Sequence, residues 1–155
     1  MSETPMTLPM IIRAQYVKDL SFESPNPIAA FTEDQETQPA ISVNIQAKAD
    51  NLGSGNFEVI LDVRVEGKRK ESILFLTELS YGAVVSVEGI DEKDASPLIM
   101  IEAPHLMFPF VRNIICDVTR EGGFPPLMLA PVDFASLYRQ QQEQASKAQE
   151  HASSH

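Results

Sequence analysis

The residues that could do chemistry are few, and their spacing argues against a catalytic centre. A phosphate-binding loop needs a glycine-rich turn ending in Gly-Lys-Ser or Gly-Lys-Thr, so that backbone N–H groups and the lysine meet the phosphates together. Here Gly67-Lys68 is followed by Arg69, and ATP hydrolysis is not expected. Gly53-Ser54-Gly55 is too short for a dinucleotide fingerprint and reads as a hairpin turn. The chain has one cysteine, Cys116, and three histidines, His105, His151 and His155. None of them stands at metal-ligand spacing from the others. His105 and Cys116 are separated by about 16 Å of helical rise, too far for a nucleophile–base hydrogen bond. Cys116 therefore reads as a packing residue. Among the 22 acidic residues no pair stands in a recognisable catalytic context. The sequence predicts no enzyme, no cofactor and no metal site.

Charge and composition bound the partners. A formal net charge of -10 repels nucleic-acid phosphates and favours basic partners. The same acidity also keeps a sticky chain soluble, and the two roles are compatible. At 155 residues and 43% hydrophobic content, one domain with a real core is expected. No uninterrupted apolar run is long enough to span a bilayer, so no direct membrane insertion is expected. The opening MSETPMTLPM lacks the basic and apolar regions of a secretory signal. With a single cysteine there is no intrachain disulfide, and the expected location is cytoplasmic.

The elements that must position any binding residues follow from periodicity. Residues 1–9 are polar, contain two prolines and read as a flexible N-terminal arm. A strand follows from Ile11. Strict alternation puts Ile12, Ala14, Tyr16, Leu20 and Phe22 on one face, and Arg13, Gln15, Val17, Asp19, Ser21 and Glu23 on the other. Lys18 interrupts the pattern as a bulge or an edge position. Ser24-Pro25-Asn26-Pro27 ends the strand, and a loop runs to Pro39. Two cleaner strands come next. Ile41, Val43, Ile45, Ala47 and Ala49 alternate with polar residues in the first, as do Phe57, Val59, Leu61, Val63 and Val65 in the second. Such alternation predicts a half-buried antiparallel sheet. Gly67-Lys68-Arg69-Lys70 reads as a basic hairpin turn.

The fourth strand, from Glu71 to Val87, is apolar on both faces. Ile73, Phe75, Thr77, Leu79 and Tyr81 share one, and Leu74 and Leu76 share the other with Glu78. This is either a central strand buried on both sides or one that exposes an apolar spot for association. Gly82 reads as a bulge or bend. After a loop from Gly89 to Pro97 and a short apolar run, a helix opens near Pro104. Leu106, Phe110, Val111, Ile114, Ile115 and Val118 wrap more of it than one sheet can cover, so oligomerisation is expected. Gly122-Gly123 stops this helix. Pro131 and Asp133 open a second, anchored by Phe134, Leu137 and Tyr138. Residues 149–155 read as a disordered tail, which leaves 10–148 as the domain.

Two blocks carry a family resemblance. FPFVRNII with GGFPPLMLAPVDFASLY, and YVKDLSFESPN near the N-terminus, resemble the SecB family of bacterial protein-export chaperones in wording, order and spacing. The resemblance implies an α+β fold, a four-stranded antiparallel sheet with helices packed on one face, assembling as a dimer of dimers. It implies an ATP-independent holdase that keeps preproteins unfolded and delivers them to the SecA motor. Residue by residue it places SecA contacts on Asp19, Glu23, Leu76 and Glu78. Read from parity alone, these acids are those of a solvated sheet face. SecA presents a basic, zinc-bearing tail, so any zinc belongs to the partner. Phe31, Phe108, Phe110, Phe124, Leu127 and Met128 become candidates for a preprotein groove, with plain core or interface packing the alternative for each. Thr77, Leu79 and Tyr81 become candidates for supporting the homotetramer contacts. The chain has no tryptophan, whereas the family often carries one in the crossover loop, and Phe31 takes that place. The competing readings are a SecB-like chaperone serving another client system, such as a toxin–antitoxin pair, and a small-ligand-binding α+β domain.

Overall fold

The computed structural model describes residues 9–153. Four strands, β1 (Met10–Glu23), β2 (Ala40–Gly53), β3 (Asn56–Arg69) and β4 (Ser72–Val87), form one antiparallel sheet in the order β1-β4-β3-β2. A short helix, α1 (Pro27–Thr32), lies in the crossover between β1 and β2. The helical half comprises α2 (Glu92–Pro97), a π-helical turn at Leu98–Glu102, α3 (Ala103–Glu121) and α4 (Phe134–Ser153). The expected α+β architecture is present.

The two central strands explain the two-sided apolar pattern of the fourth. On the face covered by helices, β3 contributes Val59, Leu61, Val63 and Val65, and β4 contributes Thr77, Leu79, Tyr81, Ala83 and Val85, all buried. Against them α3 sets Met107, Val111 and Ile115, spaced four apart and wholly buried. Each such side chain contributes roughly 1.5–3 kcal/mol relative to its exposed state. On the other face β4 carries Leu76, Glu78, Ser80 and Gly82. Gly82 is no bulge: it pairs regularly with Tyr16 and Ile60, and the Tyr16 ring lies across it. The irregularity of β4 comes earlier. A register shift between Gly67 and Lys68 leaves Leu74 unpaired and turns Ile73 away from the helix face.

Strand β1 departs from strict alternation in two places. Register shifts fall at Arg13, between Ile12 and Ala14, and at Lys18, between Val17 and Asp19. Each extra residue inverts the parity. Ile12, Gln15, Val17, Leu20 and Phe22 therefore face the helices, while Ala14 and Tyr16 face outward with Asp19, Ser21 and Glu23. The bulge expected at Lys18 is present. The hairpin after β3 is tighter than the run of basic residues suggests: β3 continues through Arg69, and the turn is Lys70-Glu71, with Lys70 at φ 56°.

The helical half also begins earlier than expected. The Gly89–Pro97 stretch is helical from Glu92, and Pro104 lies inside a continuous helix. The π-helical turn ends at Glu102, immediately before Ala103-Pro104 opens α3, and the Pro104 ring nitrogen has no hydrogen to donate to the carbonyl four residues back. By length and apolar composition the helix Lys93–Glu121 would pass as a membrane span, which the lack of a long apolar run did not suggest. Its face on the sheet accounts for only part of that composition, and Leu106 and Phe110 stay exposed. Asp133 caps α4 by accepting from the Ser136 N–H and hydroxyl at 3.1 and 2.7 Å. Phe134 is buried, and the Tyr138 hydroxyl meets the Ser96 hydroxyl at 3.0 Å. Residues 149–153, expected within a disordered tail, continue α4 as exposed helix. Residues 1–8, 154 and 155 lie outside the described residues.

Candidate functional site

Two surfaces stand out, one on each face of the sheet. The outer face is built by cross-strand pairing. Glu23 stands opposite Leu76, Ser21 opposite Glu78 and Asp19 opposite Ser80. Glu78 thus lies between the rows of Asp19 and Glu23, with Leu76 beside it. The four residues singled out from the sequence share this one face. On the other side of β4, Arg64 stands opposite Glu78 and Asp62 opposite Ser80. Arg64 reaches Glu78 at 3.4 Å and Lys48 reaches Asp62 at 3.3 Å, all partly exposed. Among the described residues neither Asp19 nor Glu23 has an ion-pair partner. A shallow cleft of about 280 Å³ runs between Asp19, Asp62, Arg64 and Glu78. Asp62 and Arg64 were not singled out from the sequence. Only the pairing of β3 with β4 brings them beside the patch.

Next to this patch the outer face is locked. The Tyr16 hydroxyl donates to the Glu58 carboxylate, and Lys18 Nζ lies 2.8 Å from the same carboxylate. Burial, and then the hydrogen bond to Glu58, push the Tyr16 phenol up to about 12. The hydrogen bonds from Lys18 and Tyr16 hold the Glu58 carboxyl below its ordinary value. The bulge that places Lys18 on this face makes the contact possible.

The second surface is aromatic. Phe124 packs with Phe75 at 4.9 Å, Phe31 at 5.0 Å and Phe22 at 6.4 Å between ring centroids, and Phe22 stacks on Phe75 at 5.8 Å. The end of α3 sets this up. Gly123, at φ 93°, donates to the Arg120 carbonyl, and Phe124 N–H donates to the Thr119 carbonyl. This is the Schellman pattern, which turns the residue after the left-handed glycine back along the helix. A Cβ on Gly122 would collide with the Phe22 ring, and one on Gly123 would lie 2.8 Å from the Phe31 ring. The double glycine that stops the helix therefore also lets two rings touch backbone.

The expected groove residues separate. Phe31, 44% exposed, and Phe124 meet in this cluster, while Met128 is 63% exposed in the loop that follows and Leu127 packs against the core. Phe108 does not join them: it is 7% exposed and packs edge-on against Phe134. Phe110, 51% exposed, stacks on Tyr81 at 6.5 Å. It sits about 18 Å of helical rise before Gly122. Phe22 and Phe75 were missed as cluster members. A glycine opposite each was the available signal: the Phe75 ring lies across Gly67, and the Phe22 ring across Gly122.

Thr77, Leu79 and Tyr81 lie in the subunit's own core. Thr77 donates to the Ser21 carbonyl at 2.8 Å, and the Tyr81 hydroxyl to Gln15 Oε1 at 3.1 Å. Their surface counterparts are Leu20, paired with Leu79 and 42% exposed, and Phe110 on Tyr81.

A family model described as Preprotein translocase subunit SecB matches residues 3–145. The protein-export protein SecB of Rhodopseudomonas palustris strain TIE-1 is 48% identical over 136 residues, covering 88% of this chain and 86% of its own length. That of Rhodospirillum rubrum is 47% identical over 146 residues, covering 93% and 90%. Among solved structures, the SecB-like chaperone of Mycobacterium tuberculosis, in complex with a peptide from the HigA1 antitoxin, has a TM-score of 0.66 at 13% identity, covering 79% of this chain and 90% of that one. That likeness concerns the fold.

Proposed function

Because the chain belongs to the SecB family, we propose that this protein-export chaperone holds unfolded preproteins at its aromatic end and presents its acidic outer face to the SecA motor. It is not an enzyme, and its holding action draws on no nucleotide. The observation that carries the proposal is the placement of Asp19, Glu23, Leu76 and Glu78 on one outward face, remote in parity from the Phe22, Phe31, Phe75 and Phe124 cluster. Exposed carboxylates around a half-buried leucine suit a short basic segment with an apolar anchor. An exposed ring, Phe31, backed by packed aromatics, and the exposed Met128 suit many weak contacts without sequence preference.

The exposed apolar side of α3, with Leu106 and Phe110, continues onto Leu20 and Val17 of β1. A second copy covering this surface, and a dimer of dimers built on it, account for a helix more apolar than its own sheet requires. Thr77, Leu79 and Tyr81 then support the contact from beneath. Linked subunits raise the avidity for one long client through effective concentration. The cytoplasm is the place for such an exchange with SecA.

The test is a client-refolding assay without nucleotide, with and without SecA. A stoichiometric amount of chaperone slows refolding, and SecA relieves the retardation in the native protein but not in Glu78→Lys. A requirement for ATP, or equal relief in the variant, would sink the proposal.

A further inference from the structure

The crossover between β1 and β2 is pinned to the β3–β4 hairpin chiefly by one side chain. Helix α1 is too short to satisfy its own last carbonyls, a general property of helix ends. Arg69, the last residue of β3, supplies the missing donors. Its Nη1 donates to the carbonyls of Ala30 at 3.1 Å and Glu33 at 3.3 Å, and its Nε donates to the carbonyl of Thr37 at 3.1 Å. Gln35 Nε2 shares the first two carbonyls at 3.0 and 2.8 Å. The neighbouring Lys70 reaches Asp34 at 3.0 Å, and Asp34 is held at φ 43° with its carboxylate accepting from Thr37. Phe31 lies inside the clamped segment, directly after Ala30, and its ring rests on Phe124. Besides Arg69, the buried Ala30 side chain anchors the segment to the core, while Ile28 is 77% exposed and Phe31 itself 44% exposed.

We infer that Arg69 is a positioning residue for client holding. Its planar fork fastens the crossover to the β3–β4 hairpin and so keeps the Phe31 ring in place as a wall of the aromatic surface. Only a guanidinium can do this from one point, because a lysine ammonium lacks the fixed fork that meets three carbonyls at once. The inference rests on the proposed client surface. It adds that the surface is set from behind, by a residue that touches no client.

The test uses Arg69→Gln and Arg69→Lys in the full-length chain. Client affinity, read as the chaperone concentration that half-retards refolding of an unfolded polypeptide, is expected to weaken about tenfold in Arg69→Gln, the scale of losing charge-assisted hydrogen bonds. Arg69→Lys is expected to recover only part of it. SecA affinity and the denaturant midpoint of global unfolding should move little in either. A second readout uses the absence of tryptophan: in Phe31→Trp the indole is the sole reporter. Adding Arg69→Gln should raise its acrylamide quenching in the free protein, and client should shield it. Unchanged client affinity in Arg69→Gln overturns the inference alone. So does a loss of client affinity matched by equal losses in SecA affinity and stability, which marks a merely structural residue. A tryptophan at position 31 that client never shields overturns the client surface and the inference together.

Discussion

On the outer face, among the described residues, Glu78 is held by a single ion pair to an arginine that is itself exposed, and Asp19 and Glu23 are held by none. At the aromatic end, Phe124 is fixed by a backbone hydrogen bond and three neighbouring rings. One surface consists of loosely held charges on a rigid sheet. The other consists of rings whose positions depend on a helix cap and a clamped loop. The difference matters for what each can do. Charges on a fixed lattice select a partner by sign and spacing, and their attraction is screened by salt. Rings against backbone select by apolar area, and their contacts respond to packing rather than to ionic strength.

The strongest way to break this contrast is to remove the space under the rings. Gly122→Val should lower unfolding stability by about 1–3 kcal/mol, the usual range for overpacking, and abolish client retention. A denaturant melt and the refolding assay check both. Next comes assembly. Phe110→Glu should move the light-scattering mass of the proposed tetramer toward smaller species, because the ring faces outward. A charge at Leu79 or Tyr81 would instead unfold the subunit, since both are buried. A third variant sharpens the contrast. Glu78→Lys should weaken SecA binding about tenfold, with the remaining affinity falling as salt rises, while client retention stays flat in both respects. If client retention followed salt as steeply as SecA binding, the two surfaces would not be distinct in kind.

The smallest effect concerns pH. The hydrogen bonds from Lys70 and then Thr37 hold the Asp34 carboxyl below its ordinary value of 3.8. A carboxyl depressed in the folded state stabilises the loop above the ordinary carboxylate range, and the stabilisation disappears as pH falls through the folded value. The indole of Phe31→Trp should therefore become more open to quencher only in that acid window, below pH about 4. Quenching that rises on the alkaline side instead would contradict the assignment of the clamp's ion pair.

Parity made the acidic face legible. Asp19, Ser21 and Glu23 keep strict alternation because no bulge lies between them, so their common direction could be read directly. The helix stop at Gly122-Gly123 and the cap at Asp133 were legible for a similar reason, as local steric and hydrogen-bonding demands. The aromatic cluster was only half legible. Phe124 lies in a block that resembles a known family and Phe31 takes the place of that family's crossover-loop aromatic, but Phe22 and Phe75 look like ordinary core positions of two strands. Phe108 and Phe110 looked like groove residues because ring type and exposure cannot be separated without knowing which way the helix faces.

The sequence by itself determined the class of the sheet, the outward set of acids, the helix boundaries marked by glycine and aspartate, and the absence of a catalytic motif. These are local properties, written in side-chain period and backbone sterics. Only the tertiary structure decided the parity of β1, because a bulge needs a partner strand before it has a meaning. It also decided that Arg64 sits on Glu78, that Tyr16 covers Gly82, and that Arg69 reaches three carbonyls more than thirty residues back along the chain. Those contacts join residues far apart in the chain, and their energy exists only once the sheet has brought them together.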